Sequence, residues 1–188
     1  MYLSRLTSAP ILQTKIVQIS LSRYTLTLLK PGLLQEQKRL LWGWTKAVPR
    51  IDGTIDPAIV RFLEAGKIAL QQGIAQAVVG NHVGHISQRI QQVIESQGYS
   101  LVPTLVGHGI GVGLHEQPYI PNVLQKSIDK TPVLQEGLVV AIEPIYAQKS
   151  PKTVRARDGW TIKTVDKSLA AQFEHTIAIT SKGPIVLT

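Results

Sequence analysis

The chain has 188 residues, 44% of them hydrophobic, and a formal net charge of +8. This length allows one hydrophobic core and predicts a single folded domain. The absence of cysteine excludes a disulfide framework, a thiolate metal site and a cysteine nucleophile. No apolar run approaches the roughly 20 residues that span a bilayer, and the N-terminus lacks the basic-then-apolar pattern of a signal peptide. We therefore expect a cytoplasmic protein without a membrane partner.

The positive charge is concentrated in residues 1–50. They hold eight Lys and Arg residues and one acid, Glu36, which gives +7, whereas residues 51–188 hold twelve basic and eleven acidic residues, which gives +1. A basic segment of this kind can bind nucleic acid or the ribosome surface. Because it lacks a basic motif interleaved with aromatic residues, we expect no specific nucleic-acid partner. We interpret residues 1–50 as an atypical basic segment, distinct from residues 51–188.

Within this basic segment, periodicity is poor. Residues 16–21 and 24–29 are rich in β-branched residues with partial alternation, which predicts two short strands. A Lys-Pro-Gly sequence at 30–32 indicates a turn, and residues 33–44 are predicted as a short helix.

Two helices are predicted next. Asp56 can act as an N-cap with Pro57 in the first turn, and apolar spacing supports a helix over 57–75. A second helix is expected over 84–97, with Gly98 as its C′ residue. His82 and His85 lie at the start of this second helix, and we interpret them as capping or solvated residues.

After Gly98 the pattern changes to strands and loops. The expected elements are a strand leading into a glycine-rich stretch, a long proline-containing loop, a buried strand, a hairpin arm and an alternating strand, at residues 99–106, 118–132, 137–146, 160–164 and 173–180. Helices followed by antiparallel strands indicate an α+β fold.

The most informative stretch is residues 107–118, where His108 and His115 lie among four glycines. Glycine lets the backbone approach another group closely or adopt positive φ. Imidazole is the commonest neutral metal ligand and titrates near neutral pH. Packing alone rarely requires this combination, so the stretch is a candidate site.

Two carboxylates join this candidate site. Glu143 and Glu174 each lie inside or directly after an apolar, strand-like run. A buried carboxylate costs several kcal/mol unless it is paired or bound to a cation. With His108 they form a ligand set typical of a divalent metal, although salt-bridged structural acids remain the alternative. His175 follows Glu174 directly and should point to the opposite face of its strand.

These segments, in this order, resemble methionine aminopeptidases of the pita-bread fold. The resemblance runs from about Gly53 to Thr188 and includes Asp-Gly-Trp-Thr at 158–161 and Ser-Leu-Ala-Ala-Gln-Phe-Glu-His-Thr at 168–176. It implies an incomplete α+β pita-bread fold, a curved antiparallel sheet with outer helices. Residues 51–188 would then be the C-terminal part of the catalytic domain.

The resemblance also implies roles. His108, Glu143 and Glu174 would be metal ligands, in a family whose site holds two divalent ions that activate water; Co, Mn, Fe and Zn are not distinguished. Glu143 would also transfer protons, and His115 would contact the substrate near its scissile amide. Trp160 and Phe173 fall where the family places aromatic residues near the substrate side-chain pocket.

The sequence departs from the family before residue 53. The family site has two further aspartates and an upstream substrate histidine, yet residues 1–50 contain no Asp and no His. Thr45 occupies the place of the second aspartate, and neither Asp52 nor Asp56 has a suitable position. The remaining three ligands suffice for one weakly held ion. Two explanations stay open: a divergent N-terminus, or a frameshift, since the codons of residues 44–48 can encode Asp-Lys-Ser-Arg in another frame.

The expected function is that of the family, metal-dependent removal of N-terminal methionine from nascent proteins by a hydrolase of the metalloprotease class. The missing aspartates predict impaired activity in this chain. Its expected partners are the N-terminal peptides of nascent chains and the ribosome. The alternative function is a non-catalytic pita-bread module that binds a peptide or a protein.

Overall fold

A computed structural model of the chain describes residues 15–26, 38–159 and 161–188. Its helices are α1 (Pro57–Ile74), α2 (Val83–Ser96) and a short 3-10 helix (Ile128–Lys130). Its strands are β1 (Lys15–Leu26), β2 (Lys38–Val48), β3 (Ser100–Leu101), β4 (Val106–Gly109), β5 (Glu116–Pro121), β6 (Val139–Ile142), β7 (Ile145–Ala147), β8 (Thr153–Arg155), β9 (Ile162–Thr164), β10 (Ala170–Thr180) and β11 (Gly183–Val186).

The long strand β10 organises an antiparallel sheet whose order is β1-β2-β10-β6-β4-β5. Strands β7 and β11 pair with the two ends of β10, and β3 extends the sheet through β7. Strands β8 and β9 form a separate hairpin. Consecutive side chains of β10 point to opposite faces of the sheet, so this strand contributes to both the core and the opposite surface.

Helices α1 and α2 cover one face of the sheet. Asp56 caps α1 by accepting a hydrogen bond from the backbone N–H of Ala58 at 2.8 Å. The fully buried rings of Phe62, Tyr146 and Phe173 lie in the same core cluster. The Tyr146 hydroxyl donates a hydrogen bond to the backbone carbonyl of Phe62, which ties the helix to the sheet and satisfies a buried polar atom.

Most of the predicted elements after residue 50 are confirmed. Both helices start and end within a residue or two of the predicted bounds, and Gly98 has the positive φ of +76° expected of a C′ glycine. The two C-terminal strand predictions correspond to β9 and β10. Residues 137–146 form two strands, β6 and β7, rather than one, and the N-terminal strand prediction at 16–21 lies inside β1.

Two predictions are wrong. Residues 38–44 of the predicted helix belong to strand β2, because β2 is held by backbone pairing to β1 and β10, and such tertiary pairing overrides helix propensity. The loop predicted over 118–132 instead contains most of β5 and the 3-10 helix. The predictions for residues 27–37 lie outside the described residues.

Neither α1 nor α2, nor any other helix in the described ranges, is long and apolar enough to cross a membrane.

Replacing Gly66 tests the contact between α1 and the sheet. A Cβ at this position would lie 2.5 Å from both a Phe173 ring carbon and the Tyr146 hydroxyl oxygen. We expect Gly66→Ala to lower the free energy of unfolding by about 1–3 kcal/mol, the usual cost of overpacking a core. The measurement is urea unfolding, with Gln71→Ala, an exposed position on the same helix, as the control. Equal stability of the two variants would contradict this packing model.

Candidate metal centre

The centre is built by the pairing of neighbouring strands on the sheet face that the helices leave uncovered. Strand β10 pairs with β6 so that Thr176 lies opposite Ala141. Two residues further along, on the same face, the same register brings Glu174 opposite Glu143. On the other side of β6, strand β4 places His108 opposite Ala141. Three residues distant in sequence therefore meet on one face.

The side-chain geometry is that of a cation site. One donor atom each from His108, Glu143 and Glu174 lies within 4.8 Å of the others. The His108 Nε2 atom is 3.8 Å from Glu143 Oε1, which is longer than a hydrogen bond and is suited to two ligands of a common ion. One imidazole nitrogen and two carboxylates fit a divalent cation.

The orientation of His108 is fixed by its second ring nitrogen. Its Nδ1 lies 2.9 Å from the backbone carbonyl oxygen of Gly109, to which it donates its hydrogen. Nε2 then carries the lone pair and faces the carboxylates, the tautomer that a metal ligand requires. Burial lowers the pKa of His108, opposed by the Gly109 hydrogen bond and reinforced by nearby His115. The ring is therefore neutral at neutral pH.

The two carboxyls resist ionisation without a cation. Burial, followed by the charge of Glu174, raises the pKa of Glu143 to about 8, against an opposing hydrogen bond from Gln172. Burial raises the pKa of Glu174 to about 7. Two buried carboxylates side by side repel each other and lose hydration. A bound cation would remove both penalties, so the arrangement favours metal binding.

Two supporting residues were missed by the sequence analysis. Gln172 donates its side-chain N–H groups to Glu143 Oε2 at 2.9 Å and to Glu174 Oε2 at 3.3 Å. Its position two residues before Glu174 on a strand was a usable signal, because it shares that face. The buried side chain of Asn122 donates to the backbone carbonyls of Leu105 and Glu143. No pattern in the sequence indicated this second contact.

His115 reaches the edge of the centre from an exposed loop. Its ring centroid is 4.3 Å from that of His108. The loop is held by a hydrogen bond from the Gly113 N–H to the Glu116 carboxylate. A Cβ at Gly111 would lie 2.3 Å from an oxygen of that same carboxylate, so a larger residue there would displace the Glu116 side chain. His115 is thus placed beside the ligands and remains accessible to a substrate.

Phe173 has a different role from the one expected. Its side chain points to the helix face of β10, is fully buried, and meets Trp44 edge to face at a centroid distance of 5.0 Å. Successive residues of a strand point to opposite faces, so Phe173 cannot share the surface of Glu174 and packs in the core instead. Trp160, the other aromatic residue expected near a substrate, lies outside the described residues.

The remaining histidines lie away from the centre. His175 points away from the ligands, with its ring centroid 5.8 Å from that of Trp44, as predicted. His82 and His85 form a capping box at the start of α2, in which His85 Nδ1 accepts from the His82 N–H at 2.9 Å. This confirms the capping interpretation.

The paired carboxyls predict how stability depends on pH in the metal-free protein. Their folded pKa values of about 8 and 7 exceed the ordinary value of 4.5, so the folded state binds more protons in this range and stability falls as pH rises. The buried histidines His108 and His175 have lowered pKa values. Their proton binding therefore affects stability only below about pH 6.5. We expect a loss of about 2 kcal/mol between pH 6.5 and 8.

Thermal or urea unfolding in the presence of a chelator measures this loss. Glu143→Gln removes one titrating carboxyl and should flatten most of the slope. An identical slope in wild type and variant would mean that the carboxyls are not coupled as the geometry indicates.

Comparison with known proteins also indicates a metallopeptidase. Residues 47–181 match the model of metallopeptidase family M24. The chain is 43% identical over 142 residues to the methionine aminopeptidase of Aquifex aeolicus, covering 76% of this chain and 55% of that protein. It is 46% identical over 121 residues to the enzyme of Mycoplasma capricolum, covering 64% and 47% respectively. The chain spans about half the length of these curated relatives.

Solved structures agree in fold. The methionine aminopeptidase of Thermotoga maritima superposes with a TM-score of 0.74 at 35% identity, covering 80% of this chain and 58% of that one. The enzyme from Rickettsia prowazekii gives 0.77 at 31% identity, covering 91% and 63%. A prolidase from Pyrococcus furiosus, at 23% identity, shares the fold with a TM-score of 0.62 and coverage of 92% and 41%. These neighbours confirm the predicted α+β pita-bread fold.

The face-to-face carboxylates, the adjoining imidazole and the match over most of the chain lead to one assignment: this chain belongs to metallopeptidase family M24, whose members use divalent metal ions.

Proposed function

We propose that this chain is a metal-dependent aminopeptidase that removes N-terminal methionine from nascent proteins in the cytoplasm, with an activity lowered by the absence of the two family aspartates. The observation that carries the proposal is the convergence of His108, Glu143 and Glu174 within 4.8 Å, at a site open on one side to His115. The similarity to methionine aminopeptidases supports the choice of substrate. From this resemblance we expect an apolar pocket that accepts methionine and a requirement for a small second residue.

The three ligands would hold a divalent ion, with His108 Nε2 and one oxygen from each of Glu143 and Glu174 directed at it. Bound there, the ion would supply Lewis acidity toward a peptide carbonyl and toward water. The metal could be Co, Mn, Fe or Zn, because imidazole and carboxylate ligands accept each of them.

The side chains around the ion have separate roles in the proposed reaction. The Glu143 side chain is 11% exposed, compared with 4% for His108, so its carboxylate can accept a proton from water and return it to the leaving amine. Gln172 holds the two glutamates in place through its side-chain hydrogen bonds. His115, exposed at the rim, can donate a hydrogen bond to the oxygen of the scissile amide. Such a positioned donor contributes on the order of 3 kcal/mol to the transition state.

The binding partners follow from this chemistry. The substrate is the N-terminal peptide of a nascent chain, and the ribosome is proposed as the second partner because it presents that peptide. The excess of basic residues in 1–50 suits an anionic surface of this kind.

Loss of the imidazole ligand tests the centre. His108→Ala should abolish calorimetric binding of Mn²⁺ and the hydrolysis of a Met-Ala-Ser peptide, because two carboxylates alone hold the ion poorly. His175→Ala removes an equivalent ring that faces away from the centre, and it should bind Mn²⁺ like wild type. Metal binding without any turnover in wild type would instead favour the non-catalytic peptide-binding module.

The rim histidine has a separate expected signature. His115→Ala should lower kcat on the same peptide by about 10²-fold and leave the Mn²⁺ affinity unchanged, since the ring is not a ligand. Val112→Ala, an 88% exposed position in the same loop, serves as the control and should retain wild-type kcat. A large loss of metal affinity in His115→Ala would refute the assignment of this residue to the substrate.

A further inference from the structure

We infer that the centre of this chain binds one divalent cation rather than a pair, and that Gly43 of strand β2 occupies the position from which a further carboxylate would complete it. The inference rests on the proposed metal centre and concerns how many ions it holds.

The first argument is the charge balance of the site. His108 is neutral, so Glu143 and Glu174 together supply two negative charges, which neutralise one divalent ion. A second ion would leave an excess of two positive charges among side chains that are almost fully buried. An uncompensated buried charge costs several kcal/mol, and two divalent ions that share ligands also repel each other strongly. Within the part of the chain that the structure describes, the donor set therefore suits one ion.

The second argument is the composition of the strands beside Glu174. Strand β2 pairs directly with β10, and β1 pairs with β2. Neither of these strands, Lys15–Leu26 and Lys38–Val48, contains an Asp, Glu or His. The nearest part of the sheet on that side thus offers no anionic ligand, whatever the placement of its side chains.

The face of β2 that points toward the metal centre carries no anionic side chain. Every second residue of the strand lies on this face, which gives Leu41, Gly43 and Thr45. Thr45, which the family resemblance placed at the position of the second aspartate, donates its hydroxyl hydrogen to the Gln172 carbonyl at 2.8 Å and accepts from the Gln172 N–H at 3.0 Å. Its oxygen is therefore committed to the backbone of β10. Leu41 contributes no donor atom from its side chain.

Gly43 is the residue directly opposite Glu174. A Cβ built at Gly43 would lie 3.0 Å from Glu174 Oε2, 3.3 Å from Glu174 Cβ and 3.6 Å from Gln172 Nε2. Glu174 Oε2 and Gln172 Nε2 can move by rotation about side-chain bonds. Glu174 Cβ is fixed by the backbone, so a slightly larger residue at position 43 also needs a shift of a few tenths of an ångström at that contact. A carboxylate at position 43 would be next to the ion held by Glu174.

The experiment counts ions in the full chain and then adds the absent charge. Native mass spectrometry of wild type with excess Mn²⁺ should find one ion per chain, and calorimetry should fit a single site. Gly43→Asp should bind Mn²⁺ at least tenfold more tightly than Gly43→Asn, which has the same size without the charge. Circular dichroism verifies that both variants fold, and the wild-type ion count needs no variant.

The outcomes separate this inference from the proposed function. Two ions per wild-type chain, or equal Mn²⁺ affinity of the folded Asp and Asn variants, would overturn the single-ion inference while leaving the metal centre standing. No Mn²⁺ binding in wild type would overturn the centre itself, and with it this inference. One ion in wild type and a tenfold gain with Asp over Asn would support it.

Discussion

The structure depends on the placement of two carboxylates opposite each other in a buried sheet. The register between β6 and β10 brings the Glu143 and Glu174 carboxylates together, where each loses hydration and each repels the other. The pair is therefore stable only when it shares a proton or a cation. Such an arrangement costs stability in the metal-free chain. Its persistence in an otherwise well-packed molecule is explained by ligand binding, which returns that free energy when the ion is present.

The rest of the fold serves this placement. Helices α1 and α2 cover the opposite face of the sheet, so β10 directs Phe173, Ile177 and Ile179 into the main core and Glu174 toward the site. Asn122 and Gln172 hold the glutamates with hydrogen bonds, and the glycine-rich loop brings His115 to the rim beside His108. The site is therefore held by hydrogen bonds at the two glutamates and open at the His115 rim.

Strand β2, in the N-terminal portion, keeps its backbone pairing in the sheet but supplies no metal-ligating side chain. Strand β2 supplies backbone pairing to β10 and packs Trp44 against Phe173, so it contributes to both the sheet and the core. Yet its site face carries a leucine, a glycine and a threonine where acids would serve an ion. Backbone pairing is nearly independent of side-chain identity, whereas ligation depends on it entirely, and this is why one can be kept while the other is absent.

By itself, the sequence determined the two capped helices, the α+β class and the identity of His108, Glu143 and Glu174 as candidate ligands, because caps, periodicity and buried acids are local signals. It failed for residues 38–44, where a helical pattern became a strand through pairing with distant β10. It also assigned Phe173 to the substrate side, although strand alternation sends that ring into the core. Only the tertiary structure could decide which faces meet, that Gln172 links the glutamates, and that Gly43 lies against Glu174. These facts follow from the register between strands that lie about 30 residues apart in sequence for β6 and β10 and about 130 apart for β2 and β10, which no local pattern encodes.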